Sequence, residues 1–67
     1  MPSSVIRYFR HDPDTSRLLV VFQSGRRYVY SRVPIATVEA MQRSFSKGEF
    51  FNEHIRDRFE FERIDDN

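Results

Sequence analysis

Cysteine is absent from this 67-residue chain, and glycine occurs only twice. Without cysteine, neither a disulfide nor a thiolate metal site can form. Gly25 and Gly48 lie in separate segments, which excludes the glycine-rich loop of a nucleotide-binding motif. His11 and His54 lack the spacing of a metal site. We therefore expect no metal, no cofactor, no small-molecule substrate and no catalytic residues, so the sequence does not indicate an enzyme.

Long hydrophobic runs are missing as well. The longest unbroken apolar stretch runs from Leu18 to Phe22, far short of the length that crosses a bilayer. The first residues, Met1–Ser4, are polar and lack the apolar run of a signal peptide. The sequence therefore predicts a cytoplasmic protein without a membrane contact. The length of the chain limits residues 1–67 to a single small domain with a thin core. Self-association would enlarge that core.

Lysine is nearly absent: ten of the eleven basic residues are arginine, and Lys47 is the other. Residues 1–47 hold eight basic and three acidic residues, a net charge of +5, whereas residues 48–67 hold three basic and seven acidic residues, a net charge of −4. The formal total of +1 hides a basic body joined to an acidic end. Because arginine binds phosphate bidentately and stacks on bases, this bias favours a polyanionic ligand.

The first half of the sequence predicts three antiparallel strands, over residues 5–9, 17–23 and 26–32. An Asp-Pro-Asp turn separates the first two strands. A three-residue loop at 23–25, with Gly25 at positive φ, would place Leu18, Val20 and Phe22 on one face with Tyr28 and Tyr30. A two-residue loop would break that apolar face, so we favour the longer loop.

The opposite face of this sheet keeps three apolar residues: Leu19, Val21 and Val29. Helices packed on one side of the sheet would leave these residues exposed. An exposed apolar patch indicates a partner, and a second copy of the chain is the simplest one. The sequence therefore predicts a homodimer with these three residues at the interface.

Two helices are predicted in the second half. The first begins at Pro34 and carries an apolar stripe of Ile35, Val38, Met41 and Phe45, with Gly48 as the expected C-cap. The second runs from about residue 49 to residue 58, because Phe51, Ile55 and Phe59 repeat at a spacing of four. Residues 59–64 alternate, which predicts a short closing strand or an extended tail. The fold class is α+β: a three-stranded antiparallel meander followed by two helices packed on one face.

Several short motifs follow one another along the chain, and their order identifies a family more specifically than any single motif does. They are Asp12-Pro13-Asp14-Thr15 before Leu18-x-Val20-x-Phe22; Gly25-x-x-Tyr28-Val29-Tyr30; Val33-Pro34; and Ser46-Lys47-Gly48-x-Phe50-Phe51-Asn52-x-x-Ile55-Arg56. This set resembles the KTSC domain, a short bacterial module found alone or at the C-terminus of some lysyl-tRNA synthetases. His11 and Ser44 depart from the usual tyrosine and alanine. The resemblance leaves activity open, and attachment to a synthetase implies RNA as a ligand.

The candidate nucleic-acid-binding residues are six arginines near the predicted sheet and two tyrosines: Arg7, Arg10, Arg17, Arg26, Arg27, Arg32, Tyr28 and Tyr30. Arg26 and Arg27 lie at the hairpin tip, where they either contact phosphate or form a solvated turn. Tyr28 and Tyr30 either stack on bases or pack against the helices, and their apolar neighbours favour packing. A continuous basic strip on the sheet would support the first interpretation.

Asn52 and Arg56 are four residues apart and are expected on one helix face. Because seven acidic residues crowd this segment, we favour an intramolecular role for both side chains. The function predicted is a non-catalytic binding module for RNA or DNA, with little sequence preference. The alternative is a protein-interaction module, which acts by self-association or by docking on the second sheet face.

Overall fold

The computed structural model describes residues 5–64. Six elements follow one another: β1 (Ile6–Asp12), β2 (Arg17–Phe22), β3 (Arg27–Tyr30), α1 (Ile35–Arg43), α2 (Lys47–His54) and β4 (Phe61–Arg63). The strands form one antiparallel sheet in the order β1-β2-β3-β4. The predicted α+β fold and its three-stranded meander are confirmed, and the closing segment is a fourth strand rather than an extended tail.

The β2–β3 hairpin has the three-residue loop that the sequence predicts. The Gly25 N–H donates to the Phe22 carbonyl oxygen, and the Phe22 N–H donates to the Arg26 carbonyl oxygen, both at 2.9 Å. Gly25 has a φ of 94°, in the left-handed region. Across the strands, Leu18 pairs with Tyr30 and Val20 with Tyr28. The predicted loop length and the predicted shared face are therefore both correct.

Replacing Gly25 by alanine should destabilise the fold by about 1 kcal/mol, because an L side chain is strained at this positive φ. A Cβ at this position would meet no atom within 4 Å, so backbone strain accounts for the whole cost. Urea unfolding measures the effect. Gly25→Asn is the control and should cost less, since asparagine tolerates the left-handed region. Equal losses in the two variants would contradict this explanation.

The core lies between one face of the sheet and the two helices. Its buried members are Ile6, Leu18, Val20, Tyr30, Val33, Val38, Met41, Phe51 and Ile55. Val33 connects this core to the β1–β2 turn through two backbone contacts. The Val33 N–H donates to the Ser16 carbonyl oxygen at 2.8 Å, and His11 Nε2 donates to the Val33 carbonyl oxygen at 2.9 Å. These two hydrogen bonds therefore hold the link between β3 and α1 against the turn of the β1–β2 hairpin.

Two predicted features of the helices are wrong. Helix α1 ends at Arg43, and Phe45 lies beyond it with its side chain fully exposed. Gly48 is not a C-cap: it is buried in the first turn of α2. The reason is the serine before it, because Ser46 Oγ accepts the Glu49 N–H at 3.3 Å and caps a new helix there. Helix α2 therefore begins two residues earlier than predicted and ends at His54.

The side of the sheet turned away from the helices is called the far face here. By strand alternation and register it carries Tyr8, Arg10, Asp12, Arg17, Leu19, Val21, Arg27, Val29, Glu62 and Ile64. Leu19 and Val29 are partly exposed, but Val21 is only 4% exposed within one chain. Its paired neighbours on this face, Tyr8 and Arg27, are long side chains that flank it. The predicted exposure of Val21 is therefore wrong, and its place at a dimer interface stays a prediction.

Candidate functional site

The predicted binding residues do not share one surface. Arg10, Arg17 and Arg27 lie on the far face, whereas Tyr28 and Tyr30 point to the core side of the same sheet. Arg26 lies between these sets, at the end of the hairpin loop. The remaining two arginines are peripheral: Arg7 at the irregularity in β1, and Arg32, with a φ of 60°, in the link from β3 to α1. The fold thus separates the arginines from the tyrosines, except at Arg26.

A cleft of about 280 Å³ opens between the β2–β3 hairpin and α2. We call it the hairpin cleft, and it is lined by Val5, Phe22, Ser24, Arg26, Tyr28, Tyr30, Phe51, Asn52 and Arg56. The hairpin supplies Arg26 and Ser24 on one side, and the end of α2 with the turn after it supplies Asn52 and Arg56 on the other. Two segments far apart in the chain therefore meet around a single opening.

Aromatic rings form the floor of the hairpin cleft. Phe22 contacts Tyr28 and Phe51 edge-on, with ring centroids 5.6 and 5.4 Å apart. Tyr30 meets Phe51 at 5.4 Å, also edge-on. Tyr30 and Phe51 are buried, whereas Phe22 and Tyr28 are partly exposed. The two tyrosines therefore differ: Tyr30 belongs to the core, as the apolar pattern favoured, and Tyr28 keeps an accessible part at the cleft.

The rim of the hairpin cleft is rich in hydrogen-bond donors. Arg56 Nη1 donates to Asn52 Oδ1 at 3.1 Å, so this asparagine turns its acceptor toward the arginine. The amide nitrogen of Asn52 is then the end left for a ligand. Asn52 and Arg56 are in contact, as their spacing predicts, but α2 ends at His54 and Arg56 lies in the turn after it, so the prediction that both lie on one helix is wrong. None of the nine described lining residues is acidic, although the chain holds ten acidic residues. The arrangement suits an anion.

Burial raises the pKa of Tyr30 to about 12. Neighbouring Tyr28 and the negative charge of Asp57 act in the same direction, and the positive charge of Arg56 opposes them. At neutral pH the Tyr30 hydroxyl therefore keeps its proton and remains a hydrogen-bond donor beside the cleft. A phenolate, which would repel an anionic ligand, does not form there.

The raised pKa of Tyr30 predicts a loss of stability in strong alkali. The unfolded chain releases this proton near the ordinary value of 10.0, whereas the folded chain holds it until about 12. The stabilisation is therefore complete below pH ~10 and disappears as the pH rises through the folded value. Unfolding midpoints measured across this range should fall more steeply for the wild type than for Tyr30→Phe, which cannot ionise. Parallel curves for the two proteins would refute the assignment.

A second depression lies on the far face, at the end nearest the β1–β2 turn. It is lined by Arg10, His11, Asp12, Pro13, Thr15, Arg17, Leu19 and Val29. Asp12 stands directly across the strands from Arg17, so acidic and basic groups alternate here. Within residues 5–64 no three histidine or acidic side chains come together as a metal site would require. This depression is a poorer match for a polyanion than the hairpin cleft.

The sequence did not place Arg56 at a cleft, although the hydrogen bond from Arg56 to Asn52 agrees with the intramolecular role that the sequence favoured. The i, i+4 spacing of Arg56 from Asn52 was visible, but the hairpin that faces both residues across the cleft was not. No helix among residues 5–64 has the length and apolar character needed to cross a membrane.

Known proteins match this chain over nearly its whole length. Lysine–tRNA ligases of Nostoc sp. and Nostoc punctiforme are 34% and 38% identical to it over 61 residues, which are 91% of this chain and 11% of each ligase. The chain therefore spans about a tenth of the length of these relatives. An uncharacterized protein of Stutzerimonas stutzeri is 35% identical over 66 residues, which cover 97% of this chain and 93% of that protein.

The fold and the family are shown by two further comparisons. The crystal structure of a KTSC domain protein from Yersinia pestis superposes with a TM-score of 0.87 at 32% sequence identity, covering 97% of this chain and 92% of that one. The sequence profile of the KTSC domain matches residues 2–59. The expectation drawn from the ordered motifs is thereby confirmed, and the chain belongs to the KTSC domain family.

Proposed function

We propose that this KTSC domain is a non-catalytic module that binds single-stranded RNA in the hairpin cleft, with little sequence preference. The observation that carries the proposal is the composition of the cleft. Among the described residues that line it, two carry a guanidinium group, none carries a carboxylate, and aromatic rings form the floor. Phosphate is the anion that guanidinium groups bind bidentately, and an unstacked base is the planar group that an aromatic side chain accepts.

Each lining residue then has a role in the complex. Arg26 and Arg56 bind two adjacent phosphates, one from each side of the cleft. Tyr28, the partly exposed ring, contacts the base. The protonated hydroxyl of Tyr30 and the amide nitrogen of Asn52 donate hydrogen bonds to the ligand. A cleft of about 280 Å³ has room for one nucleotide and none for a duplex, which supports a single strand as ligand.

We propose RNA rather than DNA as the ligand because the relatives include enzymes that are named for their tRNA substrate. The Nostoc proteins are lysine–tRNA ligases, and this chain matches a segment that makes up 11% of each. A segment carried by an enzyme of tRNA is well placed to contact RNA. Ser24 and Asn52 at the rim supply polar groups that suit a ribose 2′-hydroxyl. A cytoplasmic location, expected from the sequence, agrees with this function and stays a prediction.

Fluorescence anisotropy with a labelled single-stranded RNA tests the proposal, with single-stranded DNA of the same sequence and a duplex as comparisons. Affinity should fall with salt at a log–log slope of about −0.7 for each phosphate neutralised on a single strand. Two arginines on adjacent phosphates therefore predict a slope of roughly −1.4 from the cleft. Single-stranded RNA should bind more tightly than the duplex. If none of the three ligands binds at low salt and tens of micromolar protein, the proposal fails.

Self-association through the far face is a second candidate function, and it is compatible with the first. The hairpin cleft opens on the core side of the sheet, whereas the far face is the opposite side. A partner on the far face would cover Arg10, Arg17 and Arg27, which were predicted to bind nucleic acid, and would leave Arg26 and Arg56 accessible.

A further inference from the structure

We propose that the far face packs against the far face of a second copy, around a two-fold axis that runs along the strands between β2 and β3. One row of side chains on this face crosses all four strands. Arg10 pairs with Leu19, Leu19 pairs with Val29, and Val29 pairs with Glu62. The row is therefore basic at one end, aliphatic in the middle and acidic at the other end.

This order is self-complementary under the proposed symmetry. A half-turn about an axis midway between Leu19 and Val29 reverses the row in the second copy. Arg10 then lies over Glu62 of the partner subunit, and Glu62 lies over the partner's Arg10. Leu19 meets Val29 of the partner subunit in the middle. An isologous dimer needs this kind of self-matching patch, and two sheets stacked with aligned strands provide it.

Arg10 and Glu62 have no means of pairing within one chain. They lie on the two edge strands of the sheet, three strand spacings or about 14 Å apart. In the stacked dimer each would instead meet an opposite charge across a gap of about 10 Å between the sheets, which long side chains bridge from both sides. The second copy therefore gives each of these two exposed charges an opposite charge to pair with.

The neighbouring row supports the same symmetry. Tyr8 is paired with Val21, and Val21 with Arg27, while the Ile64 N–H donates to the Arg27 carbonyl oxygen at 2.9 Å. The half-turn places Tyr8 over Ile64 of the partner subunit. These are the two large apolar side chains exposed at the edges of the far face, at 51% and 45%. Their mutual burial removes both from water.

Two further arginines on this face are compatible with the contact. Arg17 stands across the strands from Asp12. The half-turn also brings Asp12 toward Glu60 of the partner subunit, and Arg17 supplies the positive charge beside these two carboxylates. Arg27 lies in the row nearest the hairpin, at the end of the face. It pairs with buried Val21 across the strands and is itself exposed. The central contact is thus left to the row from Arg10 to Glu62.

Charge reversal tests this pairing without touching the core, because Arg10 and Glu62 are both exposed. Sedimentation at tens of micromolar protein should show a dimer for the wild type. Arg10→Glu faces two acidic groups against each other at each end of the row, and Glu62→Arg faces two basic groups. Each single variant should dissociate about tenfold more readily, or more. The double variant R10E/E62R should dimerise again.

Mixing the two single variants gives the most selective result. R10E and E62R repel their own copies, but the mixed dimer restores an opposite pair at both ends. An equimolar mixture should therefore associate where neither protein alone does. Arg43→Glu and Glu53→Arg make the same charge changes on the exposed sides of α1 and α2 and serve as controls. They should leave association unchanged.

Three outcomes would overturn the proposal. One is a monomeric wild type at these concentrations, which would leave the far face to another partner. Another is equal weakening by Arg43→Glu and Arg10→Glu, which would indicate general charge rather than this row. The third is a mixture of R10E and E62R that stays monomeric. Circular dichroism of each variant distinguishes lost association from lost folding.

Discussion

Replacing Arg26 and Arg56 together by alanine should weaken binding of single-stranded RNA by about a hundredfold. A hydrogen bond to a charged group contributes about 1.5–3 kcal/mol, so the loss of two guanidinium contacts removes at least about 3 kcal/mol. Both residues line the hairpin cleft and both side chains are exposed, so the fold should persist. Anisotropy at several salt concentrations should show the affinity and the salt slope falling together.

The matched control removes two arginines elsewhere. Arg43 and Arg58 are exposed and do not line the hairpin cleft. The R43A/R58A variant has the same net charge as R26A/R56A, so any effect of overall charge is equal in the two proteins. It should lose less than tenfold in affinity. If the two variants weaken binding equally, the cleft is not the site and the attraction is spread over the whole surface.

Replacing Ile55 by alanine should destabilise the fold by about 2–5 kcal/mol. Ile55 is completely buried, and its N–H donates to the Phe51 carbonyl oxygen at 3.0 Å at the end of α2. A domain of this length has a total stability of roughly 3–10 kcal/mol, so this substitution removes much of it. Because Asn52 and Arg56 flank Ile55 on the segment that lines the cleft, RNA binding should fail together with folding.

Ile35→Ala is the matched control for this experiment. It removes the same atoms from a side chain that is 53% exposed at the start of α1. It should cost less than about 1 kcal/mol. Thermal or urea unfolding of both variants measures the difference. Equal losses would show that Ile55 is not the centre of the packing between the helices and the sheet.

The strand half of this protein could be predicted because its signals are local. The sheet register depends on the loop at residues 23–25, where only Gly25 readily adopts the positive φ that a three-residue loop needs. Alternation on β2 and β3 then decides which side chains share a face. Every step uses residues within a few positions of one another, so long-range packing does not intervene.

The helical half was predicted less well because two local signals competed. Apolar spacing extended the first helix to Phe45, and Gly48 resembled its C-cap. In the structure, Ser46 caps the next helix and leaves Phe45 in the connection, exposed to solvent. Spacing alone does not show which of several polar residues will cap a helix, since packing against the sheet decides where each helix lies.

The sequence by itself determined the fold class, the hairpin register, the family and the excess of arginine in the basic part of the chain. Only the tertiary structure decided what those arginines face. Arg26 and Arg56 are thirty positions apart, and they line one cleft because the hairpin and α2 pack on the same aromatic rings. Arg27, next to Arg26, points to the opposite face because successive side chains alternate along a strand. The composition gives only the number of charged residues, whereas the pleat of the sheet and the packing of the helices decide on which surface each charge lies.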